Sequence, residues 1–439
     1  MMKLIMGLFF SVGMLYFKQS KVKVSLVLFF FSSYMMVTMI CYSSNLWVGG
    51  YTFFFFDYYS YFLVILSLWI CGCMLMIPMK KLIEFGILLL LLSLILCFFS
   101  LNLLMFYLMF EISLMPIFFM ILYGGYSFER YEAIMYMLMY TVVSSMPFLW
   151  LMLLIFLHYD SLMIMVLSFL IIQLEWVLFL LCLFGFMVKL PMFLFHIWLP
   201  KAHVEAPVYG SMILAGVLLK LGSYGMLRMI QLFFFNMKDY SYMVITLGIV
   251  GGVFMSLVCL IQVDMKMLVA YSSIVHMSLL VSGMMTMSKL GLSGGLMMML
   301  AHGLCSSGLF YIVNINYECF GSRLIYVNKG SMNVYPSLGL FWFLLCSSNL
   351  SAPISLNLIS EVFLLISLVS WSMVLIIFLM FLCFLSAAYS LYLFSSTQHG
   401  QLNTKQFKFK NITVMNYFML IMHWVPLNFL FLGLEMFSL

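Results

Sequence analysis

The sequence predicts an all-α polytopic membrane protein with about fourteen transmembrane helices. Of its 439 residues, 66% are hydrophobic and only 7% are charged, and the mean hydropathy is +1.20. Apolar runs of about 20 residues, the length that spans a bilayer as a helix, recur along the chain with polar breaks between them. So apolar a chain cannot form a water-exposed surface, which excludes a soluble enzyme or binding module.

The polar breaks set the limits of the predicted transmembrane spans. The first span is short, and the apolar stretch 161–172 is left over as a segment that packs against the helices or lies at the interface. The spans are 4–17, 24–42, 58–78, 82–100, 102–123, 132–157, 174–199, 206–228, 241–262, 265–285, 291–315, 335–366, 371–395 and 412–435.

Lysine and arginine residues are distributed unevenly between the loops and predict the orientation. The loops after odd-numbered spans hold nearly all of them, whereas the loops after even-numbered spans hold only Arg228, Lys238 and Lys289. Because basic loops stay on the cytoplasm-like side, both termini are predicted to lie on the outer side. Anionic headgroups facing the basic loops explain the net charge of +6, so we expect membrane lipids but no nucleic acid as partners.

The ten cysteines and seven histidines carry no recognisable metal or cofactor motif. Cys71 and Cys73 are the only close cysteine pair, and their spacing within an apolar run matches no zinc or iron–sulfur pattern. The sequence also contains no dinucleotide-binding fingerprint. We therefore expect this chain to bind no cofactor and any electron transfer to occur elsewhere.

Two spans contain helix-breaking prolines at membrane depth. One break runs from Lys189 to Pro207 and the other from Asn349 to Asn357. Proline removes a backbone donor and disturbs the preceding turn, so the freed carbonyls need protein or water as partners. Paired breaks in two halves of a chain indicate inverted repeats with an ion path near the midplane, and ordinary proline kinks are the alternative explanation.

These breaks divide a single integral membrane domain, residues 1–439, into two inverted five-helix repeats and their flanks. The predicted parts are the N-terminal helices 1–101, a first repeat core 102–228, a second repeat core 241–395, and a C-terminal loop with the last helix, 396–439.

Three charged residues, Glu111, Lys189 and Lys220, lie well inside apolar spans. A charge at the bilayer centre costs about 2.5–3.5 kcal/mol, so such residues are usually functional. Burial weakens the hold of a lysine on its proton unless a carboxylate restores it, which makes Lys189 a switchable proton carrier with Glu111 as its candidate partner. The alternative is a static bridge that fixes helix packing, but one acid cannot neutralise two separated bases.

Two histidines and an acid in the second half extend this pattern. His276 follows serines three and four residues earlier on one helix face, and His302 precedes serines four and five residues later. Histidine titrates nearest to working pH, and hydroxyls position the waters that link proton carriers. We therefore interpret His276, His302 and Glu361 as relay elements, with satisfied packing histidines as the alternative.

The ionisable residues beside the spans are predicted to be structural. Asp264 and Lys266 stand at the start of a helix, whereas Lys201, His203 and Glu205 are expected to shape a loop.

Together these motifs resemble the chain 4 family of respiratory complex I, the proton-pumping NADH:ubiquinone oxidoreductase. The resemblance rests on the stretches 186–207, 218–225, 264–277 and 301–304 and extends from about Asn102 to Tyr392. The wider group includes the other antiporter-like chains of that complex and cation/proton antiporter subunits, which share fourteen-helix cores built from inverted repeats. The first hundred and the last forty residues resemble the family weakly.

The resemblance implies a relay role for the buried acids and bases. By analogy, Glu111 and Lys189 match the fifth-helix glutamate and the broken seventh-helix lysine of the family, Lys220 the central lysine, His276 and His302 the linking histidines, and Glu361 the terminal acid.

The resemblance also implies a setting for the chain. Sister antiporter-like chains of the membrane arm are expected on both sides, with a lateral helix along the row. NADH, FMN, iron–sulfur clusters and ubiquinone are expected elsewhere in the complex. The 45 methionines are typical of a mitochondrial code that reads an isoleucine codon as methionine, so the mitochondrial inner membrane is the expected location.

These observations leave several functions open. The favoured function is proton translocation driven by remote electron transfer, with Glu361 releasing protons outward or passing them to a neighbour. The alternatives are a free-standing cation/proton antiporter subunit and a structural scaffold that holds sister subunits apart.

Overall fold

The fold is that of a computed structural model, which describes residues 6–7, 11, 13, 21–42, 47–51, 54–125, 127–170, 172, 174–401 and 411–437. Helices make up most of these residues. In chain order they are α1 (Lys21–Tyr42), α2 (Tyr58–Met76), α3 (Lys81–Phe98), α4 (Leu103–Ile112), α5 (Leu114–Gly124), α6 (Arg130–Tyr159), α7 (Ile164–Ser168), α8 (Trp176–Lys189), α9 (Trp198–Glu205), α10 (Val208–Ile213), a π-helix (Leu214–Leu218), α11 (Leu219–Leu232), α12 (Phe234–Ile261), α13 (Met265–Met285), α14 (Lys289–Phe320), α15 (Ser331–Val334), α16 (Pro336–Asn349), α17 (Leu356–Trp371), α18 (Ile376–Gln398) and α19 (Val414–Phe429), with short 3₁₀ turns at Met373–Leu375 and Leu430–Phe437.

The chain divides into two compact units. The first comprises Met1–Lys189 and Glu205–Met237, and the second comprises Leu190–Val204 and Lys238–Leu439. Within the first unit α1 packs along α2 and α6 along α8, and within the second α14 packs against both α13 and α17. Each unit therefore has its own apolar core.

A short β-hairpin precedes α2 and was not predicted. Strand β1 (Trp47–Tyr51) pairs antiparallel with β2 (Phe54–Asp57). Phenylalanines favour extended backbone, and this run is too short to cross a membrane as a helix. Asp57, the last residue of the hairpin, caps the first turn of α2.

Both predicted helix breaks are present. The first interrupts the chain between α8 and α9, where Leu194 has a φ of 83°, and the second separates α16 from α17. In the second break Ser351 and Ile354 adopt φ values of 60° and 70°, which non-glycine residues rarely adopt. Such backbone strain often accompanies functional positions.

The prediction of a helical, multi-pass membrane protein is confirmed. In the described part of the chain, eleven helical segments are long and apolar enough to cross a membrane, counting as one segment each α4 with α5, α10 with the π-helix and α11, and α19 with the 3₁₀ turn after it. The apolar helices α8 and α17 are shorter, because the first break ends α8 and the second precedes α17. Every predicted span from 24–42 onward overlaps a helix. The span 4–17 falls almost wholly outside the described residues, so the total of about fourteen stays a prediction, as do the domain boundaries and the inverted repeats.

Two local predictions are wrong. Arg228, assigned to a loop, lies inside α11, because the helix continues for one more turn and the guanidinium is paired rather than solvated. Lys201, His203 and Glu205, expected in a loop, lie in α9, which begins within the predicted break after the non-helical residues 190–197. Proline is compatible with the first turn of a helix, which is where Pro200 stands.

Candidate functional site

Lys189 is the last residue of α8, because the following Leu-Pro dipeptide disfavours helix. The residue is 4% exposed. Its ammonium donates a hydrogen bond to the carbonyl oxygen of Phe110 at 3.0 Å and lies over the ring of the same residue, 2.8 Å from the centroid. A backbone carbonyl and an aromatic face therefore hold the buried amine.

Glu111 follows Phe110 in α4 and is half-buried. Its Oε1 is closed to solvent and accepts no hydrogen bond. No ion pair joins Glu111 to Lys189 among the described residues. The proposed partners thus form no ion pair with each other, although Lys189 contacts Phe110, the residue before Glu111.

Lys220 lies in the first turn of α11 and is fully buried. It donates a hydrogen bond to the carbonyl oxygen of Ala215 at 2.6 Å. Ala215 belongs to the π-helix, whose wider turn alters the backbone pairing just before the lysine. The irregular turn thus supplies an acceptor for an amine that has lost its hydration.

The helices that carry Lys189 and Lys220 approach closely at Gly225. A Cβ atom at this position would collide with the ring of Phe186, which lies one turn before Lys189 on α8. Glycine therefore allows the two lysine-bearing helices to pack together.

A second buried charge cluster in the first unit was not predicted. Arg228 forms an ion pair with Asp57, and both residues are 5% exposed. The guanidinium also donates to the Tyr224 hydroxyl, at 2.9 Å from Nε and 2.5 Å from a terminal nitrogen, and Tyr224 donates to the carbonyl oxygen of Phe98 at 2.7 Å. This cluster ties α11 to the start of α2 and the end of α3. The i, i+4 spacing of Tyr224 and Arg228 was the available sequence signal.

The three predicted site residues of the second unit lie together. Nδ1 of His276 is 3.3 Å from Oε1 of Glu361, a distance typical of an ion pair, although this oxygen accepts no aligned hydrogen bond. The His302 ring is centred 5.5 Å from the His276 ring. His276 and His302 are at most 2% exposed and Glu361 is 8% exposed. The side chains thus form a continuous acid and base cluster.

Two further members of this cluster were not predicted from the sequence. The Tyr389 hydroxyl of α18 lies 3.3 Å from Nε2 of His276. The Ser351 hydroxyl, in the second break, lies 2.6 Å from Oε2 of Glu361 and 2.6 Å from the carbonyl oxygen of Leu350, so its one proton can be donated to either acceptor. The break therefore has a direct use, because its strained backbone brings a donor to the buried acid. Nothing in the sequence distinguished Tyr389 from the other 25 tyrosines.

The described side chains show a cluster suited to proton exchange rather than to metal binding. Nowhere in the described part of the chain are three or more histidine, cysteine, aspartate or glutamate side chains grouped to hold a metal ion. An imidazole between a carboxylate and a phenol can instead accept a proton on one nitrogen and release one from the other.

Comparison with protein families finds two models that together match most of the chain. Residues 100–386 match the model of the transmembrane region of the NADH:quinone oxidoreductase and Mrp antiporter family. Residues 1–85 match the amino-terminal model of NADH-ubiquinone oxidoreductase chain 4. All six predicted site residues lie within the first match.

Individual proteins show the same relationship. The chain is 47% identical over 388 residues to NADH-ubiquinone oxidoreductase chain 4 of Ceratitis capitata, with 87% of each chain covered. It is 46% identical over 419 residues to the chain 4 of Aedes aegypti, covering 89% of this chain and 90% of that protein.

Solved structures share the fold at lower identity. A chain of respiratory complex I from Thermus thermophilus with bound NADH superposes with a TM-score of 0.85 at 21% identity, covering 99% of this chain and 98% of that chain. A chain of the Mrp complex from Dietzia sp. DQ12-45-1b gives 0.84 at 14% identity, covering 99% and 94%. These likenesses establish a common antiporter-like fold.

Proposed function

The chain belongs to the chain 4 family of NADH-ubiquinone oxidoreductase and is a membrane subunit of that complex, and we propose that its buried acids and bases form a relay that carries protons across the membrane. The relay consists of Glu111, Lys189 and Lys220 in the first unit and His276, His302 and Glu361 in the second. Electron transfer from NADH to ubiquinone elsewhere in the complex drives it.

The contact between His276 and Glu361 carries this proposal. A base and an acid 3.3 Å apart inside a bundle of membrane helices can exchange a proton after a small rotation of either group. Burying such a pair for packing alone is unfavourable, because apolar residues of similar size pack as well without the desolvation cost. The neighbouring His302 offers the next site for the proton.

The first unit supports the proposal in a different way. Lys189 is held by Phe110, while a buried oxygen of Glu111 has no hydrogen-bond partner. Moving the ammonium from Phe110 to Glu111 would strengthen its hold on the proton, and moving it back would weaken that hold. Such alternation is what a pump needs to take up a proton on one side and release it on the other.

The energy scale is consistent with this mechanism. Moving one proton charge against the membrane potential costs about 2.3 kcal/mol per 100 mV. Opening or closing a buried ion pair changes proton affinity by several kcal/mol, which is sufficient. We propose that the chain itself binds no NADH, FMN, iron–sulfur cluster or ubiquinone, and that sister antiporter-like chains and a lateral helix of the membrane arm contact it in the mitochondrial inner membrane.

The decisive experiment replaces Lys220 by methionine in the intact complex, reconstituted into sealed vesicles. We expect NADH oxidation to continue with fewer protons moved per electron, because the central carrier is gone. Lys238→Met, which removes an exposed lysine of α12, is the matched control and leaves the ratio unchanged. An unaltered ratio in the Lys220 variant would show that the chain is a scaffold.

Sodium-driven proton exchange by the isolated chain would instead identify it as a free-standing antiporter. Copurification with NADH-dependent quinone reduction is the result expected from the proposed function.

A further inference from the structure

We propose that Tyr389 is a proton-carrying member of the second unit, which passes protons to and from His276. This inference rests on the proposed function. It adds a hydroxyl from α18 to the second-unit part of the relay, which is otherwise built from α13, α14 and α17, and so assigns a second route by which a proton reaches or leaves the imidazole.

The geometry places the His276 ring between two exchange partners. The Tyr389 hydroxyl lies 3.3 Å from Nε2, and Oε1 of Glu361 lies 3.3 Å from Nδ1. Tyr389 and His276 are 0% and 2% exposed, so bulk water does not compete for these contacts. Each nitrogen of one ring therefore faces a different oxygen, which is the arrangement required to transfer a proton through an imidazole.

Comparison with Tyr224 shows why this hydroxyl can serve as a carrier. Both tyrosines are at most 1% exposed. Tyr224 donates to a backbone carbonyl and accepts from Arg228, so its proton is held between groups that do not titrate. In the described part of the chain, the hydrogen-bond partner of the Tyr389 hydroxyl is a titratable ring. Its proton therefore has an acceptor to which it can move.

One transfer step conserves protons and charge. In the starting state the Tyr389 O–H donates to Nε2, and Nδ1 bears the other ring-bound proton. An incoming proton binds to the tyrosine oxygen as its own hydroxyl proton moves to Nε2, which produces an imidazolium beside the Glu361 carboxylate. The Nδ1 proton then moves to Oε1 of Glu361. One proton has entered at Tyr389, one is carried by Glu361, and the ring is neutral again with its proton on Nε2 instead of Nδ1. A flip of the ring and release of the Glu361 proton then restore the starting state.

Oε1 of Glu361 can accept a further hydrogen bond, which suits this step. Oε2 can accept from Ser351, whereas Oε1 accepts no hydrogen bond. A proton leaving Nδ1 thus meets an oxygen that has no competing donor. At 3.3 Å between Nδ1 and Oε1, a small rotation of the ring is enough to align the pair.

The test uses Tyr389→Phe in the intact complex, with protons moved per electron measured in sealed vesicles. Loss of a general acid–base group slows proton transfer by about 10²–10⁴-fold, so we expect the ratio to fall to that of His276→Gln. The control is Tyr392→Phe, which removes a half-buried hydroxyl one turn further along α18 and keeps the wild-type ratio.

The outcomes separate this inference from the proposed function. A wild-type ratio in Tyr389→Phe together with a lowered ratio in His276→Gln overturns only the role of Tyr389. Wild-type ratios in both variants overturn the relay itself. If the phenylalanine variant does not assemble, Tyr389→His restores a group that exchanges protons: a ratio near wild type supports the inference, and one as low as that of His276→Gln contradicts it.

Discussion

Replacing Asp57 by asparagine tests the buried charge cluster of the first unit. The substitution leaves the Arg228 guanidinium 5% exposed without the carboxylate that contacts it. Removing one partner of a buried ion pair costs about 3–5 kcal/mol. The hydrogen bonds from Arg228 to Tyr224 and Gln231 remain, so we expect a loss near 3 kcal/mol. That loss corresponds to an approximately 100-fold rise in local opening.

Buried cysteines on the adjoining helix provide the assay. Cys71 and Cys73 lie on α2, the helix that Asp57 caps, and both are free thiols with 0% exposure. Their rate of labelling by a thiol-reactive dye in the intact complex reports opening of this helix. Asp239→Asn, which neutralises an exposed carboxylate, is the matched control and leaves the rate unchanged.

A double-mutant cycle isolates the pair from general disruption. Asp57→Asn combined with Arg228→Gln removes both charges, so the combined loss is expected to be smaller than the sum of the single losses by more than about 1 kcal/mol. If Cys71 and Cys73 are labelled no faster in the Asp57→Asn variant than in the Asp239→Asn variant, the two charges are solvated. The buried charge cluster then does not join α2, α3 and α11.

Three smaller changes probe other contacts. Gly225→Ala forces a methyl group against Phe186, and such overpacking costs about 1–3 kcal/mol. We therefore expect less assembled complex on native gels. An unchanged yield would mean that the two helices separate freely. Ser351→Ala removes the hydroxyl that contacts Glu361, and a hydrogen bond to a charged group contributes about 1.5–3 kcal/mol. The number of protons moved per electron should therefore fall. A wild-type ratio would exclude a role for the serine. Asn102→Ala removes the side-chain cap of α4 and should lower the free energy of unfolding by about 1 kcal/mol, measured by thermal denaturation. Asn102→Asp, which keeps a capping side chain, should show no such loss.

The helices were predictable because each needs only a long apolar run, and the lipid requires such runs to be helical. Irregular features were less accessible. The predicted span 102–123 is divided between α4 and α5 near Ser113, because Pro116 removes the donor for the carbonyl of Ile112. The π-helix before Lys220 left no visible signal, since its residues are as apolar as those of an ordinary turn.

The charged members of the site were predictable because acids and bases are conspicuous among apolar residues. Tyr389 was not, since an aromatic residue in a membrane helix is unremarkable until its partner is known. Arg228 was misplaced for a related reason: hydropathy ends a span at a charge, although Asp57, distant in sequence, allows the charge to be buried. Long-range partners of this kind are properties of the folded chain alone.

The length of α14 bears on how strongly voltage acts upon the relay. At about 1.5 Å per residue, its 32 residues extend about 48 Å, whereas the hydrocarbon layer is about 30 Å thick. Both ends must therefore emerge into the headgroup regions if the helix is centred, and His302 lies within one turn of the midpoint. A hydrogen ion resting there has crossed roughly half of the electric field, about 1.2 kcal/mol per 100 mV. Its occupancy should consequently respond to membrane polarisation as well as to acidity.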